Sequence, residues 1–142
     1  MSANNVLQLL CYTKQYFKQD KGYVLSYLQH RSINDKYYYD LINYNDFGFL
    51  KNNTFCVDNE LYSIVAFCTC ALNCGYDIKN VNTNLGIDND ENIAIAGVRG
   101  DDVICLNILT GEIFLWLIES GNYEKKHIAN SLQDFVEMIK YE

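Results

Sequence analysis

The sequence predicts an α+β fold: an antiparallel sheet containing a C-terminal three-strand meander, covered by N-terminal and C-terminal helices, in a single domain over residues 1–142. Three observations predict it. Apolar residues near the N-terminus recur at helical spacing, short apolar runs separated by glycine-bearing turns fill residues 92–118, and a capped amphipathic stretch closes the chain. Helices, then strands, then a helix is the order expected when helices pack on an antiparallel sheet. A chain of 142 residues, 49% of them hydrophobic, is long enough to bury one core. No internal repeat or Gly/Ser linker divides it.

Val6, Leu9, Leu10, Thr13 and Phe17 line one face of an amphipathic helix, which Gly22 ends, and "YVLSYLQHRS" forms a second short helical segment. "INDKYYYDLINYNDFGFL" mixes strand-favouring tyrosines with Asn and Asp turn residues and reads either way. A brief strand is expected at Thr54–Val57, then a turn. Leu61, Ile64, Val65, Cys68 and Leu72 return to helical spacing, with Gly75 as the C-terminal cap, although "LYSIVAF" alone also fits a buried strand. "DIKNVNTNLGIDNDEN" is polar and reads as a loop.

The C-terminal third is more explicit. "NIAIAGV" (92–98) is a strand and "RGDD" (99–102) a turn. "VICLNIL" (103–109) is a strand apolar on nearly both faces, as a central strand is. "TG" (110–111) is a tight hairpin turn, and "EIFLWLI" (112–118) returns, with Trp116 alternating with Phe114 and Ile118 on one face. "ESGNYEKKHIA" reads as a loop. Asn130 or Ser131 then caps a helix, with Gln133 or Asp134 reaching back to its first amides, and Leu132, Phe135, Val136 and Ile139 form its apolar stripe.

Charge and composition narrow the function. Eleven basic and 18 acidic residues leave a net charge of −7, which argues against a nucleic-acid backbone as partner and suits a basic protein partner. No apolar run approaches the ~20 residues of a membrane span, and the N-terminus lacks a basic region ahead of an apolar stretch. The expected location is cytoplasmic, where thiols stay reduced. With 12 tyrosines in the chain, "YYY" at 37–39 reads as ordinary packing rather than a base-stacking platform, since Lys36 is the one basic residue beside it.

Six cysteines raise the question of metal or thiol chemistry. "CTCALNC" places Cys68, Cys70 and Cys74 close together, but a closed zinc site needs four ligands and no second Cys pair marks the fourth. On a helix Cys70 points about 200° away from Cys68, so one face cannot present all three. Core packing is the preferred reading for these thiols and for Cys105, with metal and redox roles as the alternatives. His30 and His127 stand beside basic residues and read as surface. No catalytic, metal or cofactor site is expected. "DNDEN" lacks the order of a calcium loop. Asp88, Asp90, Glu91, Asp101 and Asp102 read either as solvated turns or as an acidic docking patch, with Tyr37, Tyr38 and Tyr123 as aromatic anchors.

"IAIAGVRGDDVICLNILTGEIFLWLIE" followed by "IANSLQDFVEMI" resembles the C-terminal half of the SUKH superfamily, immunity proteins related to yeast cell-wall regulators. The elements that match are Gly100, Asp101 and Asp102; Ile104, Cys105, Leu106 and Asn107, with Asn107 where the pattern more often has Asp; Gly111; Phe114 and Trp116; and Asn130, Ser131, Leu132 and Phe135. The resemblance spans about residues 91–140. Of these, Gly100, Cys105, Gly111, Trp116, Ser131 and Phe135 are the expected structural motif. It implies a cytoplasmic, non-enzymatic bacterial immunity protein that binds a cognate polymorphic or contact-dependent toxin domain, as a monomer or weak homodimer without cofactor, nucleic acid or membrane. The alternatives are a regulatory scaffold of the same fold without a toxin, and a small thiol- or metal-dependent enzyme.

Overall fold

The computed structural model describes residues 26–27, 29–31, 54–67, 78–87, 91–118 and 124–139. They form a strand-rich mixed α/β structure: a six-stranded antiparallel sheet with two short helices. The elements are β1 (Thr54–Val57), β2 (Glu60–Phe67), α1 (Ile78–Leu85), β3 (Asn92–Val98), β4 (Asp102–Asn107), β5 (Ile113–Leu117), β6 (Glu124–Ala129) and α2 (Leu132–Met138). Strand order in the sheet is chain order, each strand running antiparallel to the one before it. The expected face from Val6 to Phe17, the reading of residues 32–53, and Cys68, Cys70, Cys74 and Gly75 lie outside the described residues. Within "YVLSYLQHRS", Ser26, Tyr27, Gln29 and His30 are helical.

Four expectations need correction. Residues 60–67 form β2 rather than the start of a helix. Asp58 and Asn59 both take positive φ (51° and 66°), which turns the chain in two residues between the paired Val57 and Glu60. A two-residue turn of this hand commits the next residues to an antiparallel strand, and Asp and Asn tolerate the conformation. The polar stretch after Gly75 contains α1. Its C-terminus is closed by Gly86 (φ 72°), with Gly86 N–H donating to the Thr83 carbonyl and Ile87 N–H to that of Asn82.

The hairpin between β4 and β5 is wider than Thr110–Gly111. Its loop is Ile108–Gly111, closed by Asn107 N–H donating to the Glu112 carbonyl. Part of the expected loop before α2 is a strand, β6. Lys125 and Lys126 obscure its strand character, but lysines suit β6 because among the described strands it lies at the edge of the sheet.

β3 and β4 are buried along almost their whole length, which explains their unbroken apolar runs. On one face, cross-strand rows Ile93–Leu106–Ile113 and Ala96–Ile104–Leu115 meet Leu132, Phe135, Val136 and Ile139. Ser131 caps α2 by accepting from Asp134 N–H at 3.1 Å, whereas Gln133 donates to Glu137 rather than back to the cap. On the other face, Ala94, Val103, Cys105 and Trp116 cluster with Ile87, against Val81 and Leu85 of α1. The first hairpin bends back toward the first face: β2 pairs with β1 through Glu60–Ser63 and with β3 through Ile64–Phe67. Phe55 thereby meets Phe135 edge-on at 5.3 Å between ring centroids.

Asn82, fully buried on α1, solves a problem this burial creates. Among the described residues the ladder from β2 reaches as far as Ala96, and β3 carries a bulge between Ala94 and Ala96. The Asn82 side chain donates to the Ala94 carbonyl at 3.1 Å and accepts from the Ala94 N–H at 2.8 Å. One amide side chain thus takes the place of a neighbouring strand at that residue. Asn82→Ala is expected to cost roughly 2–4 kcal/mol, two buried backbone groups each losing a partner, whereas Asn84→Ala, exposed on the same helix, costs under about 0.5 kcal/mol. Urea unfolding of both variants checks the difference.

Candidate interaction surface

The antiparallel topology sorts the loops onto two ends of the sheet. At one end lie the β1–β2 turn and the β3–β4 turn; at the other lie the start of β3 and the β4–β5 loop. The predicted acidic residues are therefore divided. Glu91 precedes β3, whereas Asp101 and Asp102 follow it, and seven intervening strand residues separate them by roughly 20 Å or more. A single compact patch cannot contain both groups. Asp88, Asp90, Tyr37, Tyr38 and Tyr123 lie outside the described residues.

The first end gathers acids that sequence reasoning missed. Tyr62 donates to Glu60 Oε2 at 2.9 Å, and the charges of Glu60, Asp102 and Asp58 all bear on its phenol. Burial first, then the hydrogen bond to Glu60 and these carboxylates, push Tyr62 up to about 12. Leu61 stands beside them, 59% exposed. Asp58, itself exposed, also approaches Lys126 of β6 at 3.7 Å, a long contact open to solvent on the Asp58 side that contributes little to stability. A hairpin reading of "VDNE" was the signal available, since an Asp-Asn turn brings Asp58 and Glu60 to one edge.

The other end is built on a buried polar chain. Arg31, 6% exposed, donates through Nη1 to Tyr27 Oη at 2.7 Å and through Nη2 to the Asn92 carbonyl at 3.1 Å. Asn92 accepts at Oδ1 from Asn107 Nδ2 at 3.4 Å, across the first pair of the β3–β4 ladder. Asn107 Oδ1 in turn accepts from the Leu109 and Thr110 N–H groups at 2.9 and 3.0 Å. The loop presents Leu109 at 77% exposure. Beside it, His127 Nε2 lies 3.1 Å from Glu112 Oε2, and the Phe114 ring meets the His127 ring edge-on at 5.5 Å.

The remaining motif residues occupy structural positions. Gly100 and Gly111 take positive φ (95° and 78°) in the turns flanking β4. Cys105 is buried, and in its cross-strand row Phe114 comes next and His127 after that, about 10 Å away by strand spacing. That separation keeps His127 from acting directly as a base for this thiol. Trp116 is buried beside Cys105 and Val103, with Lys125 Nζ 5.0 Å from its ring centroid. Cys56 is an exposed free thiol on β1, and His30 is exposed. Among the described residues no group of three or more His, Cys, Asp or Glu side chains is arranged to hold a metal ion, and no helix is long and apolar enough to cross a membrane.

The chain matches no known family model and no curated protein. Leu61 and Leu109, the exposed large hydrophobic residues among those described, lie at opposite ends of the sheet.

The acidic end makes a titration prediction. A difference absorbance titration of the wild-type chain against Tyr62→Phe is expected to show a phenol with a midpoint near 12, above its ordinary 10.0. Because the folded-state value is raised, this group stabilises the fold below pH 10 and that contribution is lost as pH rises through about 12. Glu60→Gln should lower the midpoint while burial keeps it above 10.0. A Tyr62 midpoint at 10.0 in the wild-type chain contradicts the assignment.

Proposed function

We propose that this chain is a cytoplasmic immunity protein with a SUKH-like domain, its sheet covered by N-terminal and C-terminal helices, that binds a cognate bacterial toxin domain and neutralises it without turnover. The observation that carries the reading is the stretch from Gly100 to Phe135. Its resemblance to SUKH proteins falls on residues with definite structural work: Gly100 and Gly111 at positive φ, Cys105 and Phe135 in the two cores, and Ser131 as the cap of α2.

A net charge of −7 favours a basic partner, because opposite charge raises the encounter rate. Since the acidic turns divide between two ends of the sheet, docking uses one end rather than all of Asp88, Asp90, Glu91, Asp101 and Asp102 together. Inhibition by binding requires shape and charge on a stable framework, which the doubly buried β3 and β4 supply.

Co-expression should protect cells from one toxin, encoded beside this chain, and not from unrelated toxins. Protection should rise with the amount of this chain and be complete near one molecule per toxin. Protection at far below one molecule per toxin, with the toxin modified or degraded, rejects the binding mechanism in favour of an enzyme.

A further inference from the structure

We propose that the β4–β5 loop is a preformed docking knob, whose Leu109 enters an apolar pocket of a protein partner with a basic rim facing Glu91 and Glu112. The inference deepens the immunity reading and rests on it, the partner being the toxin domain.

Leu109 is the most exposed large hydrophobic residue among those described, at 77%. An exposed leucine alone needs no explanation. What distinguishes this one is the loop that carries it. Every N–H from Ile108 to Glu112 has an acceptor: Ile108 donates to the Glu91 carbonyl at 2.7 Å, Leu109 and Thr110 to Asn107 Oδ1, Gly111 to the Asn107 carbonyl at 2.8 Å, and Glu112 to Thr110 Oγ1 at 3.2 Å. Gly111, at φ 78°, supplies the left-handed residue that lets the loop close. Asn107 is itself held by Asn92, to whose carbonyl buried Arg31 donates.

The loop is therefore ordered before any partner arrives. A side chain fixed in its binding shape avoids the ordering cost that a floppy loop meets on association. Apolar side chains seated in desolvated pockets, surrounded by polar contacts, supply much of the energy of a protein interface. The surroundings select the partner's chemistry. Glu91 anchors the loop at one side through its backbone carbonyl and leaves its side chain exposed, and half-exposed Glu112, whose Oε2 lies 3.1 Å from His127 Nε2, closes it at the other, so a pocket rimmed with Lys or Arg fits, chiefly at Glu91, and an acidic rim is repelled.

The test measures binding of the toxin domain that the wild-type chain neutralises on co-expression, by calorimetry. Leu109→Asp is expected to weaken binding at least about 30-fold, the size of an interface hot spot. Leu61→Asp, at the opposite end of the sheet, is expected to leave affinity within about threefold, the range of an uninvolved surface site. Both exposed positions should retain the wild-type circular dichroism spectrum and unfolding midpoint. Asn107→Ala, which keeps Leu109 but releases its loop, should also weaken binding, and Glu91→Lys should reduce the association rate read by stopped-flow mixing. Wild-type affinity in Leu109→Asp, with toxin neutralisation intact in the wild-type chain, overturns the docking proposal and leaves the immunity reading standing. Failure of the wild-type chain to neutralise any toxin rejects that reading, and this proposal with it.

Discussion

Burial of both faces of β3 and β4 is the constraint on which the rest of the described structure depends. A strand with one solvated face can leave a backbone group to water; one packed on both faces has no such recourse, and an unpaired buried amide or carbonyl is costly. Beyond the last described pair of the β2 ladder, where the bulge shifts the register, Asn82 reaches from α1 to bond both polar groups of Ala94. The position of α1 is set by that contact together with the packing of Val81 and Leu85. The helix joins the sheet by filling a gap in its hydrogen bonding as well as by covering apolar surface.

The same requirement shapes the end of the sheet that carries Leu109. Asn92 and Asn107 face each other where β3 begins and β4 ends, and both are nearly buried. Their polar atoms are bonded to each other and onward, to Arg31 on one side and to the loop amides on the other. Satisfying buried polar groups thereby fixes an exposed loop. Stability of the framework and readiness of the surface are linked through Asn107, whose side chain serves both.

Legibility in the sequence tracked the physical distinctness of each signal. The strands at 92–98 and around 104–107, and the α2 stripe from Leu132 to Ile139, were readable because burial there is nearly complete and the punctuation by Gly100, Gly111 and Ser131 is strong. β2 was not, because Leu61, Ile64 and Val65 fit helical spacing as well as they fit a strand, and the ambiguity is resolved by the positive φ values of Asp58 and Asn59 together with the pairing to β1 and β3. α1 was hidden by its asparagines. Asn82 looks like a loop residue, yet it is the most buried polar side chain described because its amide imitates a strand. Of the site, Glu91, Asp101 and Asp102 were named from sequence, but their division between two ends emerged only from the pairing of β3 with β4. Leu109 gave no signal, since the apolar run from Val103 extends the expected strand through that position.

If the doubly buried β3 and β4 hold the exposed loop in one shape, amide hydrogen exchange should reveal it. The Ala94 amide should exchange only with the opening that releases Ile104 and Cys105, and the Leu109 and Thr110 amides, although in an exposed loop, should exchange well below the rate of an unstructured peptide. Exchange of Leu109 and Thr110 at the unstructured rate, while β3 and β4 remain protected, would contradict it.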